Sequence, residues 1–163
     1  MNKLLVLGIG NMLLTDDGVG VFASQELMKE DWPEQVTIRE GGTFTQDIFY
    51  SFKGSSHLLV LDVVHCGGKP GTLYRLTEDA LIKDDKQRLS IHDIDLIDSL
   101  RMAEKLFGTK SELLVLGVEP KDYVTWNIGL SDDVRAVFPE FLALARKEIG
   151  EWLKRYGNEE TRA

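Results

Sequence analysis

Apolar runs and helically spaced apolar residues alternate along this chain. The runs Lys3 to Ile9, Val36 to Glu40, Leu58 to Val64 and Leu113 to Val118 read as strands, because short apolar stretches bounded by turn residues suit a sheet covered on both faces. Between the first two, Val19, Phe22, Ala23, Leu27 and Met28 recur three to four residues apart and predict a helix that ends near Asp31, ahead of Pro33. A short strand is expected over Thr72 to Leu76, after the Pro70-Gly71 turn. Residues Thr77 to Ser90 are polar and turn-rich, and Ile94, Ile97, Leu100 and Leu106 then predict a helix beginning around Asp93. The last helix should open near Ser131, whose hydroxyl can cap it while Asp132 and Asp133 favour the positive helix start. Pro139 removes an amide donor, so the pattern predicts either a short helix ending at Phe138 or a kink, then a longer helix to about Tyr156. Strands and helices in this alternation define an α/β domain around a parallel sheet.

The chain has 163 residues, 43% of them hydrophobic and 28% charged, which fits a single domain over residues 1–156 followed by a polar, frayed tail at 157–163. The net charge of -8 excludes a nucleic-acid binder, because phosphate backbones are held by clustered Lys and Arg. Cys66 is the single cysteine, so no intrachain disulfide can form and a reducing, cytoplasmic setting is expected. Because the first apolar run opens at Lys3, no signal peptide is expected, and no run approaches the roughly 20 residues of a membrane helix.

Four polar elements fall after predicted strands or before predicted helices: Asp16-Asp17, Glu40-Gly41-Gly42-Thr43, Asp62 and His92. Open parallel sheets keep their binding crevices at the carboxyl ends of the strands, where these residues project. Asp62 interrupts the run Leu58 to Val64, and an acid there is costly to bury unless a cation, a metal or hydrogen-bond donors offset its desolvation. A plain structural role for it is the capping of nearby backbone amides. Two carboxylates with one imidazole suit a divalent ion such as Zn, Ni, Mn or Cd. Asp17, Asp62 and His92 form the most economical set. His65 competes as the imidazole because it lies nearer Asp62 in the chain, whereas His57 reads as an ordinary residue at the start of a strand.

Other chemistries fit less well. Gly8-Ile9-Gly10 invites a dinucleotide, with Glu40 placed where a ribose-binding acid would sit. The third glycine of that pattern is Leu13 here, however, and Asp16 and Asp17 would confront a pyrophosphate with like charge. No G-x-S-x-G elbow is present, and Cys66-Gly67-Gly68 reads as a turn rather than a nucleophile's setting. Trp32 and Trp152 read as core or edge packing. Trp126 precedes Asn127-Ile128-Gly129-Leu130 in a loop that could contact a partner.

Taken together, Gly8 to Gly20, Gly41-Gly42-Thr43, the Asp62 strand, Pro70-Gly71-Thr72, Ser90-Ile91-His92, Gly117-Val118-Glu119-Pro120 and Ile128-Gly129-Leu130 resemble the hydrogenase maturation endopeptidases over nearly the whole length. These enzymes trim the C-terminus of the large-subunit precursor of nickel-iron hydrogenases. The resemblance implies a three-layer α/β/α sandwich with a twisted, largely parallel sheet of about five strands. It implies Asp17, Asp62 and His92 as the metal-contacting residues, with Asp17 standing where relatives carry Glu or Asp, and Asp95 standing where a glycine is often found. It also implies a monomer without a resident cofactor, whose partner is a precursor already holding nickel; other divalent ions can occupy the site. On this reading Gly41, Gly42 and Thr43 shape the peptide crevice, Glu40 braces that loop, and the attack is activated either by Asp17 or Asp62 acting on water or by nickel polarising the carbonyl. The alternatives are a hydrolase with a resident divalent metal of its own and a non-enzymatic nucleotide-binding module.

Overall fold

The computed structural model describes residues 2–42, 50–83, 88–89 and 93–158. Strand β1 (Leu4–Ile9) is buried along its whole length, as a strand flanked on both edges and covered on both faces must be. It pairs in parallel with β2 (Val36–Gly42) on one side and β3 (His57–His65) on the other. β6 (Glu112–Val118) extends the parallel set from β3, and β4 (Leu73–Thr77) closes the edge antiparallel to β6. The order β2-β1-β3-β6-β4 is therefore mostly parallel, and the two-residue β5 (Arg88–Leu89) pairs antiparallel with Val64 and His65 at the end of β3.

Alternation along the strands sorts the core into two layers. Leu4, Val6, Leu59, Leu61, Val63, Leu116 and Val118 face α1 (Val19–Met28) and α4 (Asp132–Tyr156), packing on Val19, Ala23, Leu27, Val134, Phe141 and Ile149. Leu5, Leu7, Ile9, Leu58, Val60, Val64 and Val115 face the opposite way, onto Phe52 and onto Leu96, Leu100 and Ala103 of α3 (Asp93–Phe107). The result is the α/β/α sandwich the resemblance implied. Asp62 interrupts the second stripe, between Val60 and Val64.

Two glycines let α1 press against the sheet. A Cβ on Gly20 would collide with the carbonyl oxygens of Leu61 and Ile9, and Gly10, at φ +140, lies against the Asp17 carbonyl. These glycines accommodate the protein's own backbone, so the Gly8-Ile9-Gly10 turn is not a phosphate cradle.

Two expectations about the helices need correction, and one alternative at Pro139 is ruled out. α1 ends at Met28 rather than near Asp31, because Lys29 and Glu30 turn back onto the carbonyls of Glu26 and Leu27, and the Trp32 indole donates to the Leu27 carbonyl at 2.8 Å. The polar Thr77 to Ser90 stretch contains α2 (Glu78–Lys83); Glu78 and Asp79 sit in its first turn, where negative charge meets the positive helix end. Of the two outcomes expected at Pro139, the break at Phe138 does not occur: α4 continues through it to Tyr156. Pro139 lies on an exposed face, where water can satisfy the carbonyl that loses its amide partner. Its start is as expected: Ser131 is the N-cap and accepts from the Val134 amide at 3.4 Å. The expected tail lies largely outside the described residues.

Candidate active site

The adjacent acids Asp16 and Asp17 do different jobs. Both sit in the 3-10 turn Thr15–Gly18 that joins β1 to α1 at the carboxyl edge of the sheet, and both are buried. The Asp16 carboxylate is saturated. Its Oδ1 accepts from the Ser131 amide at 2.8 Å, and its Oδ2 accepts from the Ser131 hydroxyl at 2.7 Å and the Lys121 and Asp122 amides at 2.9 and 3.0 Å. Asp17 accepts one described bond, from the Asn11 amide to Oδ2 at 2.9 Å. Its Oδ1 has no donor among the described residues. A buried carboxylate left with lone pairs to fill is poised to take a cation or a water, whereas Asp16 is a structural staple.

The turn is held under strain. Thr15 has φ +53, the one described non-glycine residue in the left-handed region, at a cost of about 1–3 kcal/mol for such a conformation. Its amide donates to Asn127 O at 3.0 Å and its hydroxyl to Thr125 O at 2.7 Å, bonds that hold it there.

Asp62 is buried at 3% exposure on β3, and its Oδ1 accepts from the Val63 amide at 2.8 Å. The amide-capping role anticipated for it is therefore present. Its position on the face covered by α3 matters more, because α3 begins at the residue that follows His92. The contact of Gly20 with the Leu61 carbonyl brings the Asp17 turn against the same part of β3. His92 and Thr43 lie outside the described residues. Among the described residues, no group of three His, Cys, Asp or Glu side chains is close enough to hold a metal ion.

The other candidates are also placed. Glu40 is exposed at the end of β2, beside half-buried Gly41 and Gly42, and the Gly42 carbonyl accepts from the Gly10 amide at 2.9 Å. His65 lies on the face opposite Asp62 by strand alternation and packs edge-on against Tyr123 at 4.6 Å. His57 starts β3 at the far edge of the sheet, among Trp152, Tyr156 and Glu112. Burial holds its pKa below the usual 6.5, against the opposing pull of Glu112.

One functional-edge residue received no role from the sequence. Glu119, directly after β6, is buried, and its Oε2 accepts from the Cys66 amide at 2.9 Å. Burial, followed by the charge and hydrogen bond of Glu119, pushes the Tyr74 phenol up to about 12. Backbone bonds from Glu119 to Thr72 and from Gly71 to Glu119 complete the brace, which ties the turn after β3 to the end of β6. The available signal was the one that flagged Asp62, an acid at the end of a buried strand.

An open α/β sheet with buried carboxylates gathered at the carboxyl ends of its strands defines a class of domain that binds and transforms ligands at that edge. Comparison with known proteins narrows the class. The HycI hydrogenase maturation protease family pattern matches residues 21–148, and the chain belongs to that family of peptidases. It is 30% identical to the hydrogenase expression/formation protein HupD of Bradyrhizobium diazoefficiens, over 93% of this chain and 80% of HupD. It is also 30% identical to the hydrogenase 2 maturation protease of Escherichia coli, over 83% of each chain. The solved structure of the hydrogenase maturating endopeptidase HybD from E. coli superposes with a TM-score of 0.79 at 29% identity, covering 91% of this chain and 93% of HybD.

Proposed function

We propose that this chain removes a C-terminal extension from the nickel-loaded large-subunit precursor of a nickel-iron hydrogenase. The observation that carries the reading is the division of labour at the carboxyl edge: Asp16 is saturated by structural donors, while Asp17 keeps an oxygen available in a chain of the maturation protease family. Asp17, Asp62 and His92 are the residues that meet the precursor's nickel. They are an incomplete ligand set on their own, so docking depends on a metal that already carries ligands from the precursor, and processing waits for nickel insertion. Gly41, Gly42 and Thr43 shape the crevice for the extension, with Glu40 at its rim.

Hydrolysis then needs one of the two carboxylates as a base. Asp17 or Asp62 takes a proton from water, the hydroxyl adds to the scissile carbonyl carbon, and the proton passes to the departing amine as the C–N bond breaks. The same reading has the protein monomeric, cytoplasmic and without a resident metal; no described helix is long and apolar enough to cross a membrane.

Incubating the purified chain with nickel-loaded and nickel-free precursor tests the proposal by intact mass. A small mass loss confined to the loaded sample is expected. Loss in neither sample, or equal loss in both, would overturn it. A chain purified with stoichiometric metal and inactivated by chelation would favour the resident-metal hydrolase instead.

A further inference from the structure

The loop between β6 and α4 carries an apolar surface that the fold does not use. Val124, Trp126 and Ile128 are 70%, 74% and 71% exposed, and Tyr123 and Leu13 are also exposed. Folding gains little from side chains left in water, and contiguous exposed apolar surface on a globular domain marks an interaction site. The segment is nonetheless built firmly. Asp122 Oδ1 accepts from the Val124 and Thr125 amides at 3.0 and 2.9 Å, and bonds from the Thr125 hydroxyl and then these amides hold its pKa below the usual carboxylate range. Asn127 donates to the Leu13 carbonyl at 2.9 Å and Leu14 bridges to Asn127, which places Leu13 alongside the loop.

The same bonds join this surface to the candidate active site. The saturated Asp16 carboxylate holds the two ends of the loop, at Lys121, Asp122 and Ser131. Thr15 clamps its middle, at Thr125 and Asn127. Asp17 is the next residue in that turn, so loop and site carboxylate form one rigid unit. A hollow of about 570 Å³ lies between Thr15, Lys121, Tyr123, Asn127 and Ser131.

We propose that the crest formed by Leu13, Val124, Trp126 and Ile128 is the docking surface for the folded body of the hydrogenase large-subunit precursor. This assignment rests on the functional reading above and deepens it. A stable protein-protein contact covers about 800 Å² on each partner, far more than two carboxylates and an imidazole offer. The additional contact must therefore lie beside them, and the crest is exposed apolar surface on a loop bonded to the turn that carries Asp17. Its composition suits the task, since a buried aromatic flanked by aliphatic side chains is the usual centre of an interface and a rigid loop loses little freedom on binding. Because the crest and the Asp17 turn move together, a precursor seated on one is held in register with the other.

The test uses the full chain with nickel-loaded precursor and compares wild type with Trp126→Ser, with the double variant Trp126→Ser/Ile128→Ser, and with Leu106→Ser, an exposed apolar position on α3, as control. The crest variants should raise KM for the precursor about tenfold or more, as loss of an interface aromatic does, with kcat within about twofold and an unchanged melting temperature, while the control keeps the wild-type KM. Processing with unchanged KM in both crest variants overturns the docking assignment and leaves the proposed function standing. A wild-type chain that sediments as a dimer, with crest variants that sediment as monomers, also overturns it, since a second copy would then cover the surface. Failure of the wild-type protein to process the loaded precursor brings down the functional reading and this assignment together.

Discussion

Substitution of Asp16 and of Asp17 should give opposite phenotypes, although the two residues are neighbours in one turn. Asp16→Ala removes the acceptor for three amides and one hydroxyl. Each donor left buried without a partner costs about 1–3 kcal/mol. Partial access of water to Lys121 and Asp122, which lie nearer the surface, brings the total to about 3–5 kcal/mol, the usual cost of breaking a buried charged network. For a chain of this size each kcal/mol lowers the melting temperature by about 2–4 °C, so a drop of about 6–20 °C is expected in a thermal melt followed by circular dichroism. Asp17→Asn keeps an oxygen for the Asn11 amide and should stay within about 1 kcal/mol of wild type, while processing of the nickel-loaded precursor falls by about a hundredfold or more, as expected for loss of a carboxylate proposed to meet the nickel or serve as the base. An Asp16→Ala protein that melts within about 2 °C of wild type would refute the assignment of Asp16 as the staple, since a change that small corresponds to less than about 1 kcal/mol. An Asp17→Asn protein that loses as much stability as Asp16→Ala, or keeps full activity, would refute the division of roles.

Further outcomes follow from the same contacts. Gly20→Ala places a methyl against the Leu61 and Ile9 carbonyls and should cost at least about 3 kcal/mol or prevent folding, whereas Gly150→Ala in α4, where nothing lies within 4 Å of the new methyl, should stabilise by about 0.5–1 kcal/mol; urea unfolding distinguishes them. His57 has its folded pKa lowered chiefly by burial, so the unfolded chain binds the extra proton as pH falls. The stability it contributes is present above pH 6.5 and is lost below it, and melts at stepped pH should show that slope flattened in His57→Gln. Tyr74 has a raised folded pKa of about 12, from burial first and Glu119 second, so its contribution is present below pH 10 and is lost as pH climbs toward 12. Ultraviolet titration of the phenol should show a lower midpoint in Glu119→Gln.

The sheet and the outer helices were legible because burial on both faces imposes apolar runs, and burial on one face imposes a spacing of three to four. β1, β3 and β6 were readable for this reason, as were α1, with an error at its C-terminal end, and α3, which starts at Asp93 as read. α2 was not: a single turn and a half beside an edge strand exposes too little periodicity to stand out among polar residues. At Pro139 the choice between a break and a continuing helix was left open, because it depends on which way the residue faces, and that is set by the packing of α4. At the site, Asp62 announced itself by breaking an apolar run. The division between Asp16 and Asp17 was invisible, because it depends on amides at Lys121, Asp122 and Ser131 that are brought close by tertiary structure alone. Glu119 carried the same signal as Asp62, an acid at the end of an apolar run, but its partners, Cys66 in the turn after β3 and Tyr74 on β4, are brought to it by tertiary structure alone.

The central claim, that Asp17, Asp62 and His92 share one divalent ion, is tested most directly by cadmium NMR titration of the full chain and of Asp17→Asn, Asp62→Asn and His92→Gln. One bound resonance, at a shift typical of oxygen and nitrogen ligands, is expected in wild type and should move or vanish in each variant. The same resonance in all four proteins would contradict the claim.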